Sequence, residues 1–301
     1  MDFQAFIDAF SPEHIKINEP LKHYAYTKTG GPADLLVFPQ SSQELQAMIK
    51  KANELQLPFM VMGNSSNVIV RDGGIEGIVF MLTQMAAIKV KDHQVFAEAG
   101  ARIIDVTRAA RDAALTGLEF ACGIPGSVGG AIYMNAGAYD GEIKDLPLSV
   151  QVVDKFGDLK TYTNEDLDFS YRHSIIQDNG DCVVSVVFDL KPGDYDQIKG
   201  RMDHLTQLRE SKQPLDLPSC GSVFKRPKGH FTGQLVQAAD LQGYTVGGAQ
   251  VSKKHAGFIV NIDHATAADY LAVIHHVQEV IKKEFDVTLE TEVRIIGRDP
   301  K

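Results

Sequence analysis

Cysteine is scarce in this chain. Three cysteines, Cys122, Cys182 and Cys220, occur among 301 residues, and none belongs to a CxxC pair. This pattern excludes a disulfide framework and a zinc ribbon, and it favours a reducing compartment. A basic excess is also absent, because 30 Lys and Arg face 39 Asp and Glu for a net charge of -9. The charge argues against a nucleic-acid-binding protein but leaves room for a local anion site.

Long apolar runs are missing as well. No stretch approaches the roughly 20 residues of a membrane-spanning helix. The first ten residues carry Asp2 and Asp8, where a secretory signal needs a basic start and an unbroken apolar stretch. We therefore expect a cytoplasmic protein without membrane insertion. With 44% hydrophobic and 23% charged residues, the composition is typical of a globular protein of two or three domains.

Several familiar site patterns do not occur. Neither the dinucleotide fingerprint G-x-G-x-x-G nor the P-loop G-x-x-x-x-G-K-[ST] matches the glycine spacing. The ten histidines form no metal-ligand pattern, and His275 and His276 would point about 100° apart around a helix. Cys220, with His230 nearby, lacks the orienting partner of a nucleophilic cysteine. We expect no metal.

Alternating helical and strand patterns predict an α+β or α/β protein. Pro192 and Gly193 indicate a change of unit near residues 191–197. Residues 33–82 predict a strand, a helix capped by Ser42 and two further strands. A strand or hairpin over 88–98 and a helix ending near Gly117 follow, and then strands over 149–190 that turn at Phe156-Gly157-Asp158. The last predicted elements are helices near 198–208 and after Thr266, and a closing strand over 287–297.

Glycine-rich segments contain the first functional signal. The pentapeptide Gly63-Asn64-Ser65-Ser66-Asn67 follows an apolar strand, where exposed backbone amides can cradle a phosphate. A second segment between Gly123 and Gly137 is also rich in glycine. Such glycines suit a backbone that approaches a ligand closely or adopts positive φ. Tight turns between strands are the alternative.

Three further segments combine reactive groups with tight backbone. Arg172 is suited to clamp a carboxylate, Ser222 beside a glycine is suited to donate a proton, and Glu292 on an alternating strand is suited to face inward. Taken one at a time, they are equally compatible with a surface salt bridge, a turn serine and a solvent-facing strand residue.

In order, these segments resemble the UDP-N-acetylenolpyruvoylglucosamine reductase (MurB) family over about residues 18–298. The motifs are Asn18-x-Pro20-Leu21, Thr29-Gly30-Gly31-Pro32-Ala33-Asp34, GNSSN, GIPGSVGGAIYMNAGAY, FSYRHS, GSVFKRP and LETEVRIIG. The resemblance implies reduction of UDP-N-acetylglucosamine enolpyruvate to UDP-N-acetylmuramate, a step in peptidoglycan synthesis. It implies non-covalent FAD as cofactor, NADPH as hydride donor, and no obligate protein partner.

The family architecture implied is α+β. A FAD-binding domain of the PCMH or vanillyl-alcohol-oxidase type would span residues 1–194, with subdomains over about 18–82 and 83–194. A C-terminal α+β substrate domain would span 195–301. Only KPGD separates FDL from YDQI, so the chain resembles the compact subclass (type II) that lacks a substrate-covering tyrosine loop.

The resemblance also implies residue roles. Arg172 and Glu292 would orient and stabilise an enolate-like intermediate, with Glu292 either protonated or paired with a cation. Ser222 would then protonate C2, and Lys225 is a candidate to stabilise its alkoxide.

The remaining site residues implied by the family bind ligands. Ser65 stands where the family often has glycine, and a serine there would be strained if the position needs positive φ. The cofactor-binding residues are Gly63, Asn64, Ser65, Ser66, Asn67, Gly123, Pro125, Gly126, Gly129, Gly130, Tyr133, Asn135 and Gly137, and the substrate-binding residues are Tyr139, Tyr171, Lys212, Arg226 and Arg294.

Two other functions remain open at this point. One is a FAD-dependent oxidase of small alcohols on the same fold, and the other is a non-catalytic protein that binds a flavin or a nucleotide sugar. The Ser222 and Glu292 motifs, and the lack of an obvious covalent flavin histidine in the glycine segment, argue against the oxidase. The complete catalytic trio argues against a binding protein.

Overall fold

A computed structural model describes residues 2–300 and shows two compact units. The first unit contains the chain up to Ile17, Leu35–Asn64 and Gly77–Arg209, and the second contains Asn18–Asp34, Ser65–Glu76 and the described chain from Glu210 onward. The units therefore do not separate at residue 194, since the helix that begins at Tyr195 stays in the first unit as far as Arg209. The division into a FAD domain and a substrate domain stays a prediction.

Helices and strands alternate along the described residues. The α-helices are α1 (Gln4–Ile7), α2 (Ser42–Glu54), α3 (Ile103–Asp112), α4 (Val128–Tyr133), α5 (Ile176–Asn179), α6 (Tyr195–Lys212), α7 (Thr232–Ala238) and α8 (Ala267–Phe285). The strands are β1 (Ile15–Pro20), β2 (Pro32–Val37), β3 (Phe59–Met62), β4 (Val68–Val70), β5 (Ile75–Met81), β6 (Ile88–Lys91), β7 (Gln94–Glu98), β8 (Leu115–Thr116), β9 (Gly137–Ala138), β10 (Gly141–Glu142), β11 (Leu148–Val153), β12 (Leu159–Thr163), β13 (Cys182–Asp189), β14 (Lys191–Pro192), β15 (Ser219–Ser222), β16 (Thr245–Val246), β17 (Ala249–Val251), β18 (Phe258–Asn261) and β19 (Arg294–Ile296).

The first unit is built on an antiparallel sheet of order β12-β11-β13-β7-β6. Of the strand or hairpin predicted over 88–98, the structure shows the hairpin β6–β7. The predicted turn between β11 and β12 is confirmed and passes through Gly157 at φ +90°. Val150 and Val152 of β11 and Val186 of β13 are buried, because alternate residues of a strand share one face. This apolar face is part of the core of the unit.

Helix α2 begins one residue earlier than the predicted cap implies. The side chain of Ser41, in extended backbone, accepts the Glu44 N–H at 3.2 Å, whereas Ser42 is the first helical residue. Either serine is chemically suited to cap, so only the backbone conformation decides. Strand β3 then pairs in parallel with β5, and the chain passes directly into Gly63.

The second unit contains an antiparallel sheet of order β15-β18-β17-β16 and the long helix α8. The helix predicted after Thr266 is confirmed as α8; Thr266 is its N-cap, and Tyr270, Ile274 and Val277 are buried on one face. The predicted closing strand is shorter than expected, because only β19 pairs continuously, in parallel with β4. Before it, the N–H groups of Glu292 and Val293 both donate to the Val223 carbonyl, which interrupts a regular ladder.

Among residues 2–300, no helix combines the length and apolar character needed to cross a membrane. No group of three or more His, Cys, Asp or Glu within them is placed to hold a metal ion. Cys122, Cys182 and Cys220 are buried free thiols.

Candidate active site

The GNSSN loop begins where β3 ends and contacts the second glycine-rich segment inside the first unit. A Cβ added to Gly63 would lie 2.2 Å from the Ser127 Oγ, so only glycine allows this approach. The Asn64 Nδ2 donates a hydrogen bond to the Pro125 carbonyl at 2.7 Å. Two segments predicted to bind FAD therefore lie against each other.

Ser65 has the positive φ that makes a serine unfavourable. The φ of Ser65 is +55°, and the residue is 5% exposed. Its buried Oγ has no hydrogen-bond partner among the described residues. Within residues 2–300 the backbone amides of positions 63–67 also donate no hydrogen bond. Consecutive unsatisfied amides around a left-handed residue suit an anion. The loop thus fits the diphosphate of FAD.

The first turn of α4 serves a different purpose. The N–H groups of Val128 and Gly129 donate to the carbonyls of Ala101 and Ala99, and the Gly130 N–H donates to the Ser127 Oγ. A Cβ on Gly129 would lie 3.1 Å from the Ala99 Cβ. These amides are already satisfied by the protein, so close packing and capping account for Gly129 and Gly130. Their predicted contact with FAD stays a prediction.

Asn135 is fully buried and its side chain is satisfied by protein atoms. The Nδ2 donates to the Glu142 Oε2 at 2.7 Å and to the Ser170 carbonyl at 2.9 Å, while the Oδ1 accepts the Lys144 N–H at 3.0 Å. These bonds use the full donor capacity of the amide. The side chain of Asn135 therefore fixes the segment that leads to Arg172, and its predicted role toward FAD is untested.

Tyr133 contributes its backbone to the same region. Its carbonyl accepts hydrogen bonds from the Ser174 Oγ at 2.9 Å and the Gln177 Nε2 at 2.7 Å. The Gln177 Nε2 also lies 3.0 Å from the Arg172 carbonyl. Tyr133 thus helps to hold the loop on which Arg172 stands.

Arg172 occupies a strained position in the first unit. Its φ is +56°, its Nη2 donates to the Gly137 carbonyl at 3.0 Å, and its guanidinium lies 5.1 Å from the ring centroid of Tyr171. A Cβ on Gly137 would lie 2.8 Å from the Glu142 Cγ and 3.1 Å from the Arg172 Nη1. Gly137 is therefore required for the arginine to reach this carbonyl.

Ser222 and Glu292 lie on adjacent segments of the second unit. Ser222 is the exposed last residue of β15, and the next residue, Val223, accepts the Glu292 N–H at 2.8 Å. Phe224 and Thr291 form an antiparallel bridge. Glu292 is half-buried, and its own carbonyl accepts a hydrogen bond from the Asn67 Nδ2 at 3.2 Å. Ser222, Glu292 and Asn67 at the end of the GNSSN loop therefore lie on segments that are joined by hydrogen bonds.

The basic group expected beside Ser222 is engaged elsewhere. The Lys225 Nζ lies 3.2 Å from the Glu290 Oε2, which satisfies its charge. The His255 ring and the Ser222 hydroxyl instead both lie near Gly257, where an added Cβ would lie 3.2 Å from the His255 Cε1 and 3.9 Å from the Ser222 Oγ. Sequence reasoning missed His255, because nothing in its flanking residues marks this proximity.

The protonation of His255 follows from its contacts. The Gly257 N–H donates to the Nδ1 at 3.2 Å, so a neutral ring carries its proton on Nε2. Burial lowers the pKa of His255. The ring is therefore neutral near pH 7.

Arg209 is a second residue that sequence reasoning missed. It lies in the last turn of α6, and a Cβ on Gly123 would lie 2.6 Å from its Cδ. Burial lowers the pKa of Arg209, with Tyr139 and Cys122 opposing the shift, and no carboxylate among residues 2–300 forms an ion pair with it. A half-buried cation without a carboxylate partner suits an anionic ligand.

The residues predicted to bind substrate lie in different structural environments. Tyr139 and Asp140 form a two-residue turn between β9 and β10 with φ of +49° and +66°, and the Tyr139 ring packs beside the Cys122–Met202 cluster. In the second unit, the exposed Arg226 guanidinium lies 3.9 Å from the ring centroid of Phe231. Lys212, Arg294 and Tyr171 are exposed on their own units. Their roles toward substrate stay predictions.

Comparison with known proteins identifies the family. Residues 213–296 match the domain described as UDP-N-acetylenolpyruvoylglucosamine reductase, C-terminal domain, and residues 33–163 match FAD binding domain. The chain is 58% identical over 292 residues to the UDP-N-acetylenolpyruvoylglucosamine reductase of Limosilactobacillus reuteri, covering 97% of this chain and 98% of that protein. It is 56% identical over 299 residues to the corresponding reductase of Enterococcus faecalis, covering 99% and 100%.

A solved structure agrees with this relationship. The crystal structure of UDP-N-acetylenolpyruvylglucosamine reductase (MurB) from Thermus caldophilus matches with a TM-score of 0.81 at 32% identity, covering 94% of this chain and 98% of the other. The predicted α+β fold with a FAD-binding domain is confirmed. The chain belongs to the UDP-N-acetylenolpyruvoylglucosamine reductase family.

Proposed function

We propose that this chain reduces UDP-N-acetylglucosamine enolpyruvate to UDP-N-acetylmuramate with NADPH as hydride donor, in peptidoglycan precursor synthesis. Relatives at 56–59% identity carry the name of this reductase, and residues 33–163 match a FAD-binding domain. The observation that carries the proposal is the placement of Ser222 beside the Glu292 segment, with Asn67 of the GNSSN loop bonded to Glu292.

FAD is the group that makes this chemistry available. When bound, it relays the hydride of NADPH to the enolpyruvyl double bond. Three features support the GNSSN loop as the segment that binds FAD. The Ser65 hydroxyl has no partner in the described chain, the amides of residues 63–67 donate to no protein acceptor there, and Gly63 approaches Ser127 closely. Covalent attachment is not needed, because the loop offers hydrogen bonds for an anion.

Arg172 has the properties of a group that stabilises developing negative charge. The Gly137 carbonyl and the Tyr171 ring hold its guanidinium, so little reorganisation is needed when a substrate carboxylate arrives. A planar guanidinium also binds a carboxylate through two hydrogen bonds. We assign Arg172 to orienting the enolpyruvyl carboxylate and stabilising the enolate-like intermediate.

We assign Ser222 and Glu292 to the same intermediate. The exposed Ser222 hydroxyl is the proton donor to C2, and the half-buried Glu292 carboxyl group orients the reacting carbons. His255, with its proton on Nε2, is an ionisable group whose ring, like the Ser222 hydroxyl, lies beside Gly257. It replaces Lys225 as the candidate that supports proton loss from the serine.

The diphosphate of the nucleotide-sugar substrate is anionic and needs cations, although the net charge of the chain is negative. Lys212, Arg226 and Arg294 carry exposed positive charges, Arg209 is a half-buried cation, and Tyr139 and Tyr171 carry hydroxyl groups. We assign these residues to binding the nucleotide diphosphate and the sugar. The three free thiols further support a reducing, cytoplasmic setting.

Anaerobic stopped-flow spectroscopy tests the function directly. NADPH should bleach the flavin absorbance of the purified holoprotein, and UDP-N-acetylglucosamine enolpyruvate should restore it. Bleaching without recovery on adding the substrate contradicts the reductase and favours an oxidase of small alcohols. A folded protein without flavin absorbance, even after incubation with FAD, favours a nucleotide-sugar-binding protein.

A further inference from the structure

The Ser65 hydroxyl is buried in a place where the protein gives it nothing to bind. Ser65 is 5% exposed, and its Oγ has no hydrogen-bond partner among the described residues. A buried hydroxyl without a partner is unfavourable, because it has lost its hydrogen bonds to water. The residue also adopts φ +55°, which serine rarely adopts.

The loop cannot easily relax to remove either penalty. The Asn64 side chain is bonded to the Pro125 carbonyl in the first unit, and the Ser65 carbonyl accepts the Tyr26 N–H at 3.4 Å in the second. Asn67 is tied through its side chain to Glu292 and through its carbonyl to the Arg294 N–H. Backbone strain held in place by its surroundings commonly marks a ligand-binding position.

The surroundings of the hydroxyl also indicate the kind of ligand. Within the described residues, the amides of positions 63–67 donate to no protein acceptor, so the loop presents hydrogen-bond donors. Successive backbone N–H groups around a left-handed residue can bind an anion. Of the groups carried by FAD, the diphosphate is the anionic one, and a serine hydroxyl can donate to a phosphate oxygen.

We propose that the Ser65 Oγ donates a hydrogen bond to the diphosphate of FAD, and that this contact compensates for the strain of a serine at this position. The inference rests on the proposed flavin-dependent function. A glycine would relax the backbone but would lack the donor. The serine therefore lowers the stability of the FAD-free protein and raises its affinity for FAD.

Two substitutions separate the hydroxyl from the strain. Ser65→Gly removes both, and Ser65→Ala removes the hydroxyl while a Cβ still opposes positive φ. We expect both variants to bind FAD about tenfold more weakly than the unsubstituted protein, as for loss of one hydrogen bond to a charged group. We expect only Ser65→Gly to raise the thermal unfolding midpoint of the FAD-free protein. Titration with FAD, followed by quenching of flavin fluorescence, gives the affinities.

Two matched control substitutions are available in the first unit. Asp92→Gly relieves a positive φ of 52° in an exposed hairpin, and it should stabilise the protein without changing FAD affinity. Ser185→Ala removes a buried hydroxyl that is bonded to the Gln151 Oε1 at 3.1 Å, and it should also leave FAD affinity unchanged.

The outcomes are distinct. Weaker FAD binding by both Ser65 variants, together with a more stable FAD-free Ser65→Gly protein, supports the proposal. If the unsubstituted protein binds FAD and both variants bind it equally tightly, the contact is wrong and the proposed function stands. If the folded unsubstituted protein binds no FAD, both are wrong. Should Ser65→Ala fail to fold, Ser65→Gly decides alone, since glycine is favoured at this φ.

Discussion

The side chain of Asn67 binds the backbone of Glu292, a residue 225 positions further along the chain. The Asn67 Nδ2 donates to the Glu292 carbonyl at 3.2 Å, and the Arg294 N–H donates to the Asn67 carbonyl at 3.0 Å. Asn67, at the end of the GNSSN loop, is thus bonded to Glu292 and to Arg294, the residues on either side of Val293. This arrangement couples the position of a proposed catalytic carboxylate to the loop that we assign to FAD.

Replacing Asn67 with alanine should therefore affect both functions. Asn67→Ala removes the bond to Glu292, and we expect about 1 kcal/mol lower stability and an approximately tenfold slower substrate-dependent recovery of flavin absorbance. Asn53→Ala is a matched control, since the Asn53 Nδ2 donates to the Lys155 carbonyl at 2.8 Å within the first unit. An equal loss of stability in both variants without any change in flavin recovery would show that Asn67 has only a structural role.

Ser222→Ala should separate the two halves of the reaction. NADPH should still bleach the flavin at the unsubstituted rate, whereas recovery with UDP-N-acetylglucosamine enolpyruvate should slow by about 10²–10⁴-fold, because the proton donor is missing. Ser219→Ala in the same strand is the control and should leave both rates unchanged. Equal slowing of both half-reactions would exclude Ser222 as the specific donor to substrate.

Arg172→Lys tests whether geometry or charge matters. A lysine keeps the charge but loses the planar group that can bind a carboxylate twice. We expect weaker substrate binding and recovery slowed by about 100-fold, with bleaching by NADPH unchanged. Arg108→Lys, on an exposed part of α3 paired with Asp105, serves as the control. Normal recovery in Arg172→Lys would mean that a positive charge alone is sufficient.

Arg209→Met should weaken ligand binding without weakening the fold. Methionine keeps an unbranched side chain against Gly123 but removes a desolvated cation that lacks a carboxylate partner in the described chain. We expect an unchanged or higher unfolding midpoint without ligand, and about tenfold lower affinity for FAD or for substrate in separate titrations. Arg201→Met, exposed on the same helix, is the control. A destabilised variant with both affinities intact would assign Arg209 to the fold alone.

Asp154 should make stability depend on acid pH. Burial opposes its ionisation, but the Lys160 ammonium and the N–H groups of Asp158 and Phe156 outweigh that effect and lower the pKa to about 2 from 3.8. Because the folded pKa is the lower one, the stabilisation is full above about pH 4 and disappears as the pH falls toward 2. Asp154→Asn should lower stability by about 1 kcal/mol at pH 7.

Denaturant unfolding at several pH values checks this prediction. The difference between Asp154→Asn and the unsubstituted protein should shrink between about pH 4 and pH 2. Asp158→Asn, whose exposed carboxylate pairs with Lys50, should show a much smaller difference at pH 7. A pH-independent difference for Asp154→Asn would contradict the assigned pKa.

Local patterns in the sequence predicted the elements that depend on neighbouring residues. The apolar face of α8 and the turn at Gly157 were predicted correctly, since helical spacing and turn residues are local signals. The strand β4 was not predicted, because three residues carry too weak an alternation and only pairing with β19 defines it. The cap of α2 was placed one residue late for a similar reason: two adjacent serines differ only in backbone conformation.

The sequence by itself determined the family, the glycine-rich loops and the identities of the reactive side chains, because these depend on residue type and order. The tertiary structure decided what those residues contact. It gave Asn135 a full set of protein partners and left the Ser65 hydroxyl with none in the described chain. It also placed the His255 ring and the Ser222 hydroxyl beside Gly257 and paired Lys225 with Glu290. Hydrogen bonds and burial depend on groups far apart in the chain, and only folding brings such groups together.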